Sequence, residues 1–226
     1  MSELAGATIA FDLDGTLVDT APDLVGTLNV ILGEEGLAPL ALEHARDLIG
    51  HGARRLIERG FQAAGEPLEA QRMDGLFDRF IAHYRANIAH ESRPFPGCVE
   101  ALEALKSDGA RLAVCTNKPT ALSNALLVAL GMSRLFDAVT GPDDAPAAKP
   151  DPRHLEAAVL AAGGRPTRSL MVGDAATDAG AARALKVPLI LVSFGYTETP
   201  AAELGPDILI DHFDQLPAAV RRLLGS

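Results

Sequence analysis

The apolar run Ala7-Thr8-Ile9-Ala10-Phe11 passes straight into Asp12-Leu13-Asp14-Gly15-Thr16, and no other junction constrains the fold of this chain as much. A run this short and apolar reads as a buried strand. Residues two apart on a strand share a side, so Asp12 and Asp14 face one pocket at its C-terminal end. Gly15 then lets the backbone turn away sharply. An Asp-Gly hairpin is the alternative, but residues 20–32 read as helix and no partner strand follows at hairpin spacing. Two carboxylates and a run of turning amides at a strand end suit a divalent cation and attack on phosphorus.

Three further apolar runs, Leu112–Cys115, Leu170–Val172 and Leu189–Val192, alternate with helical patterns. Pro96-Gly97 opens a helix carrying Val99, Leu102 and Leu105 at helical spacing, and Gly109 closes it. Asp151-Pro152 is an N-cap followed by a helix-starting proline, with Leu155, Ala158, Val159 and Ala162 as the inward stripe. Asp214 is expected to cap a last helix bearing Leu216, Val220, Leu223 and Leu224. Strands alternating with helices imply right-handed crossovers and an α/β fold with a doubly wound parallel sheet, a Rossmann-like core. Between residues 20 and 92 no strand is evident, and helices are expected at about 22–33, 42–49, 53–64 and 68–88. The simplest organisation is a core of residues 1–19 and 93–226 with an inserted all-α cap at 20–92. Ligands of open α/β sheets bind outside the carboxyl ends of the strands, where this insertion departs and would hang as a lid.

Composition limits the partners. A net charge of −10 and a pI near 5.0 argue against nucleic acid or an anionic membrane, both of which need a basic face. No secretory signal pattern and no run of eighteen apolar residues is present, so a cytoplasmic protein is expected. Cys98 and Cys115 lack metal-ligand or disulfide spacing and read as free thiols.

More polar groups fall at the later strand ends. Thr116-Asn117-Lys118 follows the second run with a hydroxyl and fresh amides at a helix start, suited to phosphate oxygens, although taken alone Thr116 reads more readily as an ordinary helix cap. Gly173-Asp174 follows the third run, with Asp178 four residues on. If a helix starts near Ala176, both acids lie at its N-terminus, as catalytic groups or as simple caps. A lone loop lysine is usually solvated, but Lys149, one of four lysines against sixteen arginines, sits in the stiff segment Ala148-Lys149-Pro150-Asp151-Pro152.

Taken in order, Asp12-x-Asp14-Gly15-Thr16, Thr116-Asn117, Lys149-Pro150 and Gly173-Asp174-x-x-x-Asp178 resemble the haloacid dehalogenase-like superfamily of phosphatases. The helical insertion resembles the cap of its phosphoglycolate phosphatase-like branch. The resemblance implies an Asp12 nucleophile, an Asp14 acid/base, and Mg²⁺ held by Asp12, the Asp14 carbonyl and Asp174, with Asp178 in support. It gives Thr116, the Asn117 amide and Lys149 to the phosphoryl oxygens, and a small phosphate ester, 2-phosphoglycolate, as substrate. Magnesium suits a ligand set made only of hard oxygen. Ala175 departs from the serine of many relatives. In the insertion, Gly50-His51-Gly52 followed by Arg54 and Arg55 resembles a loop facing the site, whose His51, Arg54 or Arg55 would meet a substrate carboxylate; a plain helix–helix turn is the alternative. A sugar phosphomutase or a phosphatase of another small phosphometabolite in the same superfamily, and a receiver-type phospho-acceptor on a similar sheet, are the competing functions.

Overall fold

The computed structural model describes residues 3–45, 49 and 52–225. In chain order the first elements are β1 (Thr8–Phe11), β2 (Val18–Asp19), α1 (Ala21–Glu34), α2 (Leu42–Ala45), α3 (Ala53–Ala63), α4 (Met73–Ala86) and β3 (Arg93–Pro94). Then come α5 (Cys98–Ser107), β4 (Arg111–Cys115), α6 (Thr120–Ala129), β5 (Ala138–Thr140) and α7 (Pro152–Ala161). The chain ends with β6 (Ser169–Gly173), α8 (Ala176–Leu185), β7 (Leu189–Val192), β8 (Ile208–Ile210) and α9 (Leu216–Leu224).

Six strands form one sheet in the order β5-β4-β1-β6-β7-β8, and every neighbouring pair is parallel. Side chains of β1 alternate between its faces. Ile9 and Phe11 join Leu112, Val114, Leu170 and Val172 beneath α5, α6 and α9. Ala10 joins Ala113, Cys115 and Met171 beneath α7 and α8. Helices therefore cover both faces, as the apolar strand runs require. The chain runs outward from β1 through β4 to β5, then returns to β6 on the other side, so the strand order reverses beside β1. Phe11 is level with Val114 on one side and Val172 on the other. The residues that follow each strand thus converge at one edge.

A separate apolar cluster joins α1, α3 and α4 through Leu28, Ile31, Leu56, Phe61, Leu76 and Phe80, and takes in Leu122 and Tyr196 from beyond the helices. Gly60 permits the close crossing of α1 and α3, since a Cβ there would lie 2.7 Å from Leu28. Two features tie the ends of this helical block together. β2 and β3 pair antiparallel, Val18 with Pro94 and Asp19 with Arg93. The buried carboxylate of Asp23 accepts bonds from the amides of Glu91 and Ser92 and from the Ser92 hydroxyl, the last at 2.6 Å.

Three expectations change in detail. Asp214 does not cap α9; it lies inside a 3₁₀ turn, Phe213–Gln215, whose Asp214 amide donates to Nδ1 of His212. The expected helix at 68–88 starts as a 3₁₀ turn, Ala70–Arg72, before α4. No helix begins at Thr116: Pro119 stands at the N-cap of α6, which starts at Thr120. Asp151 does cap α7, accepting from the Arg153 amide at 2.9 Å.

Candidate active site

β1 sits at the centre of the sheet and delivers Asp12 to the convergence edge. Asp12 Oδ1 accepts from the Leu13 amide at 2.7 Å and lies 2.8 Å from Lys149 Nζ. The next turn needs Gly15, at φ +83°: a Cβ there would come within 2.7 Å of Asp174 Oδ2 and 2.8 Å of the Tyr196 ring. Thr16 then donates its hydroxyl to Asp174 Oδ1 at 3.0 Å, and the Tyr196 amide donates to Oδ2 at 2.7 Å.

β6 and α8 place Asp174 and Asp178 as the spacing implied. Asp178 Oδ2 accepts from the amides of Asp174 and Ala175, both at 3.1 Å, so it closes the start of α8 although Ala175 offers no side-chain cap. Its Oδ1 binds Lys149 Nζ at 2.7 Å. Lys149 is buried, not solvated, with one ammonium shared between Asp12 and Asp178. Asn117 explains how the lysine is held. Its side-chain amide donates to the Lys149 carbonyl at 3.1 Å, and its Oδ1 accepts from the Lys149 amide at 2.9 Å. His154 helps from behind, accepting from the same amide at Nδ1 and donating from Nε2 to the Thr140 carbonyl.

Acids this close disturb one another. Asp12, Asp174 and Asp178 offer carboxylate oxygens within 4.8 Å of each other, and are the one such acidic group among the described residues. Burial, moderated by Lys149 and reinforced by Asp178, raises the Asp12 pKa to about 6. Burial and the charges of Asp178 and Asp12 raise Asp174 to about 8. The lysine responds in kind: burial opposes its charge, but Asp12 and Asp178 outweigh burial and hold it above its ordinary range. A cluster of buried hard-oxygen anions with one shared ammonium fits a divalent cation.

Asp14 stands apart from that cluster. Both its oxygens accept from Lys118 Nζ, at 2.9 and 3.1 Å, and the ammonium lies 4.5 Å over the Tyr84 ring centroid. Sequence reading missed Lys118 as a functional group. Its signal was present: another of only four lysines, placed just past a strand end and before a proline. Thr116 is buried at the same edge, and its Oγ1 accepts from the Lys118 amide at 3.1 Å.

One cleft opens on these residues. Asp12, Asp14, Thr116, Asn117 and Lys118 line its polar end, while Ile49, Leu56, Phe80 and Tyr84 line its other wall. Gly52, at φ +85°, approaches it, since a Cβ there would lie 4.0 Å from the Asn117 carbonyl. Gly50 and His51 lie outside the described residues. Arg54 and Arg55 do not face the cleft. The buried stripe of α3 is Leu56, Ile57, Gly60 and Phe61, which leaves Arg54 on the flank beside α4 and Arg55 on the opposite side. Arg54 pairs with Asp74 at 2.8 Å and lies over Phe77, Arg55 pairs with Glu58 at 2.6 Å, and each is more than half exposed. The cysteines supply no alternative nucleophile: both are buried, and burial pushes the Cys115 thiol up to about 12.

The family model for haloacid dehalogenase-like hydrolases matches residues 7–186. A phosphoglycolate phosphatase of Caulobacter vibrioides is 58% identical, the match covering 100% of this chain and 95% of that protein. One of Agrobacterium fabrum is 48% identical, covering 96% and 93%. Among solved structures, that of a predicted phosphoglycolate phosphatase from Haemophilus somnus superposes with a TM-score of 0.86 at 32% identity, covering 94% of this chain and 97% of that one.

Proposed function

The chain belongs to the haloacid dehalogenase-like hydrolases, and from that premise we propose that it is a Mg²⁺-dependent phosphatase that cleaves 2-phosphoglycolate through a phosphoaspartate at Asp12. That it is a phosphoric monoester hydrolase acting on a small phosphate ester follows from the family and its full-length phosphoglycolate phosphatase relatives. The observation that carries the finer reading is the Lys149 ammonium, buried between Asp12 and Asp178 beside Asp174.

In this reading an Asp12 oxygen attacks phosphorus, a new P–O bond forms to the carboxylate, and the bond to the ester oxygen breaks. Asp14 gives its proton to the departing alkoxide. It then takes a proton from water, which attacks the same phosphorus and releases Asp12 and inorganic phosphate. Thr116, the Asn117 amide and Lys149 hold the phosphoryl oxygens. A carboxylate nearing a phosphate dianion is repelled by about 4 kcal/mol per charge pair at 4 Å and an effective dielectric of 20. Mg²⁺ held by Asp12, Asp174 and the Asp14 carbonyl would supply the positive charge that offsets this repulsion, and the mutual disturbance of the acids suits them to such an ion. Residues 20–92 act as the cap and residues 1–19 with 93–226 as the core. No described helix is long and apolar enough to cross a membrane, and a cytoplasmic setting suits the two free cysteines.

The test is phosphate release from 2-phosphoglycolate with Mg²⁺ or EDTA, for the wild type and Asp12→Asn. Loss of the nucleophile should lower kcat by roughly 10⁴-fold or more. Near-wild-type turnover by Asp12→Asn, or turnover indifferent to EDTA, would sink the mechanism.

A further inference from the structure

We infer that Tyr84 and Lys118 together receive the carboxylate end of the substrate, and that Tyr84 is a specificity-determining residue. The inference rests on the phosphatase reading and names what lies beyond the phosphate. Leu76, Phe80 and Tyr84 recur every four residues on α4 and form its buried face. The Tyr84 ring stacks on Phe80 with centroids 6.2 Å apart. Phenylalanine would fill this space equally well, so packing does not account for the hydroxyl.

That hydroxyl is buried, and its proton has no acceptor. Lys118 lies over the ring face with its ammonium directed to Asp14, and where it reaches the phenol oxygen it can only donate, so the phenol proton is left without an acceptor. A buried hydroxyl whose proton has no acceptor is destabilising, and an acceptor arriving from outside would recover that loss. Tyr84 lines the cleft that also holds Asp12, Asp14 and Lys118. Burial pushes its pKa up to about 12, so near neutral pH it is a hydrogen-bond donor.

The rest of the cleft defines the ligand by exclusion. Among the described residues, the side chains of its wall beyond Asn117, Leu24, Ile49, Leu56, Phe80 and Leu122, can satisfy no polar group. A polyol would leave several hydroxyls buried without partners. Arg54 and Arg55 are paired outside the cleft, and Lys149, which serves the phosphoryl end, does not line this wall. Among the described residues, Lys118 is the one cation lining the cleft, its charge set between Asp14 and the Tyr84 ring. A phenol donor beside an ammonium suits one small anion, the carboxylate of a short phosphorylated acid.

The experiment compares 2-phosphoglycolate with ethyl phosphate, which has the same two-carbon length and no carboxylate. Wild-type enzyme should prefer the acid, and Tyr84→Phe should lower that preference in kcat/KM by roughly 10–100-fold, as for a lost hydrogen bond to a charged group. The inhibition constant of inorganic phosphate, which reads only the phosphoryl end, should stay within about threefold. Equal losses on both esters, or a phosphate constant that moves as far as the preference, would overturn the inference by assigning the hydroxyl to structure. Wild-type turnover of ethyl phosphate with no preference for the acid would overturn it while leaving the phosphatase standing. Turnover of neither ester would remove both.

Discussion

The Tyr196 amide holds Asp174 Oδ2 at 2.7 Å, while the hydroxyl of the same tyrosine contacts Asp19 and accepts from the Ala21 amide at 3.1 Å. One residue thereby joins the acid assigned to the metal to the strand from which the helical block departs. The two halves of Tyr196 do different work, and substitutions can separate them.

Gly195→Ala disturbs the acid directly, because a Cβ at 195 would lie 2.2 Å from Asp174 Cβ. It should raise the Mg²⁺ concentration for half-maximal activity by roughly 10–100-fold, as for loss of support to a metal ligand. Tyr196→Phe keeps the amide and loses only the hydroxyl contacts. It should cost about 1–3 kcal/mol of stability and move the Mg²⁺ dependence by less than about threefold. Metal titrations and thermal melts of both variants decide between these roles; a reversal of the two effects would mean that the hydroxyl, not the amide, orients Asp174.

Asp14→Asn should slow turnover by roughly 10²–10⁴-fold. With nitrophenyl phosphate the leaving group needs little protonation, so the first step survives and the second stalls. Rapid-quench mass spectrometry should then find phosphate on a peptide containing Asp12. A variant that is slow but never phosphorylated would assign the proton transfers to another group.

Without metal, stability should fall as pH rises from about 5 to about 8. Asp12 and Asp174 have pKa values raised from 3.8 to about 6 and about 8, so across that window the folded state binds more protons than the unfolded chain. Lys149, held above its ordinary range, stays charged throughout and adds no slope. A cation competing with those protons should stabilise more at the upper end of the window. Thermal melts at about pH 5.5 and about pH 8, with and without Mg²⁺, read this directly, and Asp174→Asn should flatten the dependence. A Mg²⁺ effect equal at both values would place the ion away from these acids.

Arg54→Ala and Arg55→Ala should leave kcat/KM for 2-phosphoglycolate and for ethyl phosphate changed alike and by less than about threefold, since exposed ion pairs contribute about 0–1 kcal/mol. A selective loss on the acid would return one arginine to the substrate.

How far the chain was readable follows from where each signal lies. The four motifs were legible because each stands at the end of a strand or on a stiff loop, where a short apolar run meets residues with only a few chemical uses. The edge strands β5 and β8 were not, because three residues give too little periodicity, and the exposed Leu209 breaks the buried pattern. The arginines misled because a charge next to a glycine loop shows nothing of the helix phase that turned them to solvent. Tyr84 and Tyr196 gain their roles through contacts with residues far away in the chain, which no local pattern encodes.

The paired strands β2 and β3, with Asp23 bonded across to Glu91 and Ser92, close a neck where the chain leaves the sheet and re-enters it. Seen from the sheet, everything beyond that neck is a single loop whose ends are already joined. Doubling the length of a flexible loop costs only about 0.6 kcal/mol in closure entropy, and a clasped neck holds the ends together whatever hangs beyond it. Helices there can be lengthened, shortened or exchanged with little strain on β1 and its neighbours. New substrates can thus be explored by grafting at one seam, while the phosphoryl chemistry stays unaltered beneath.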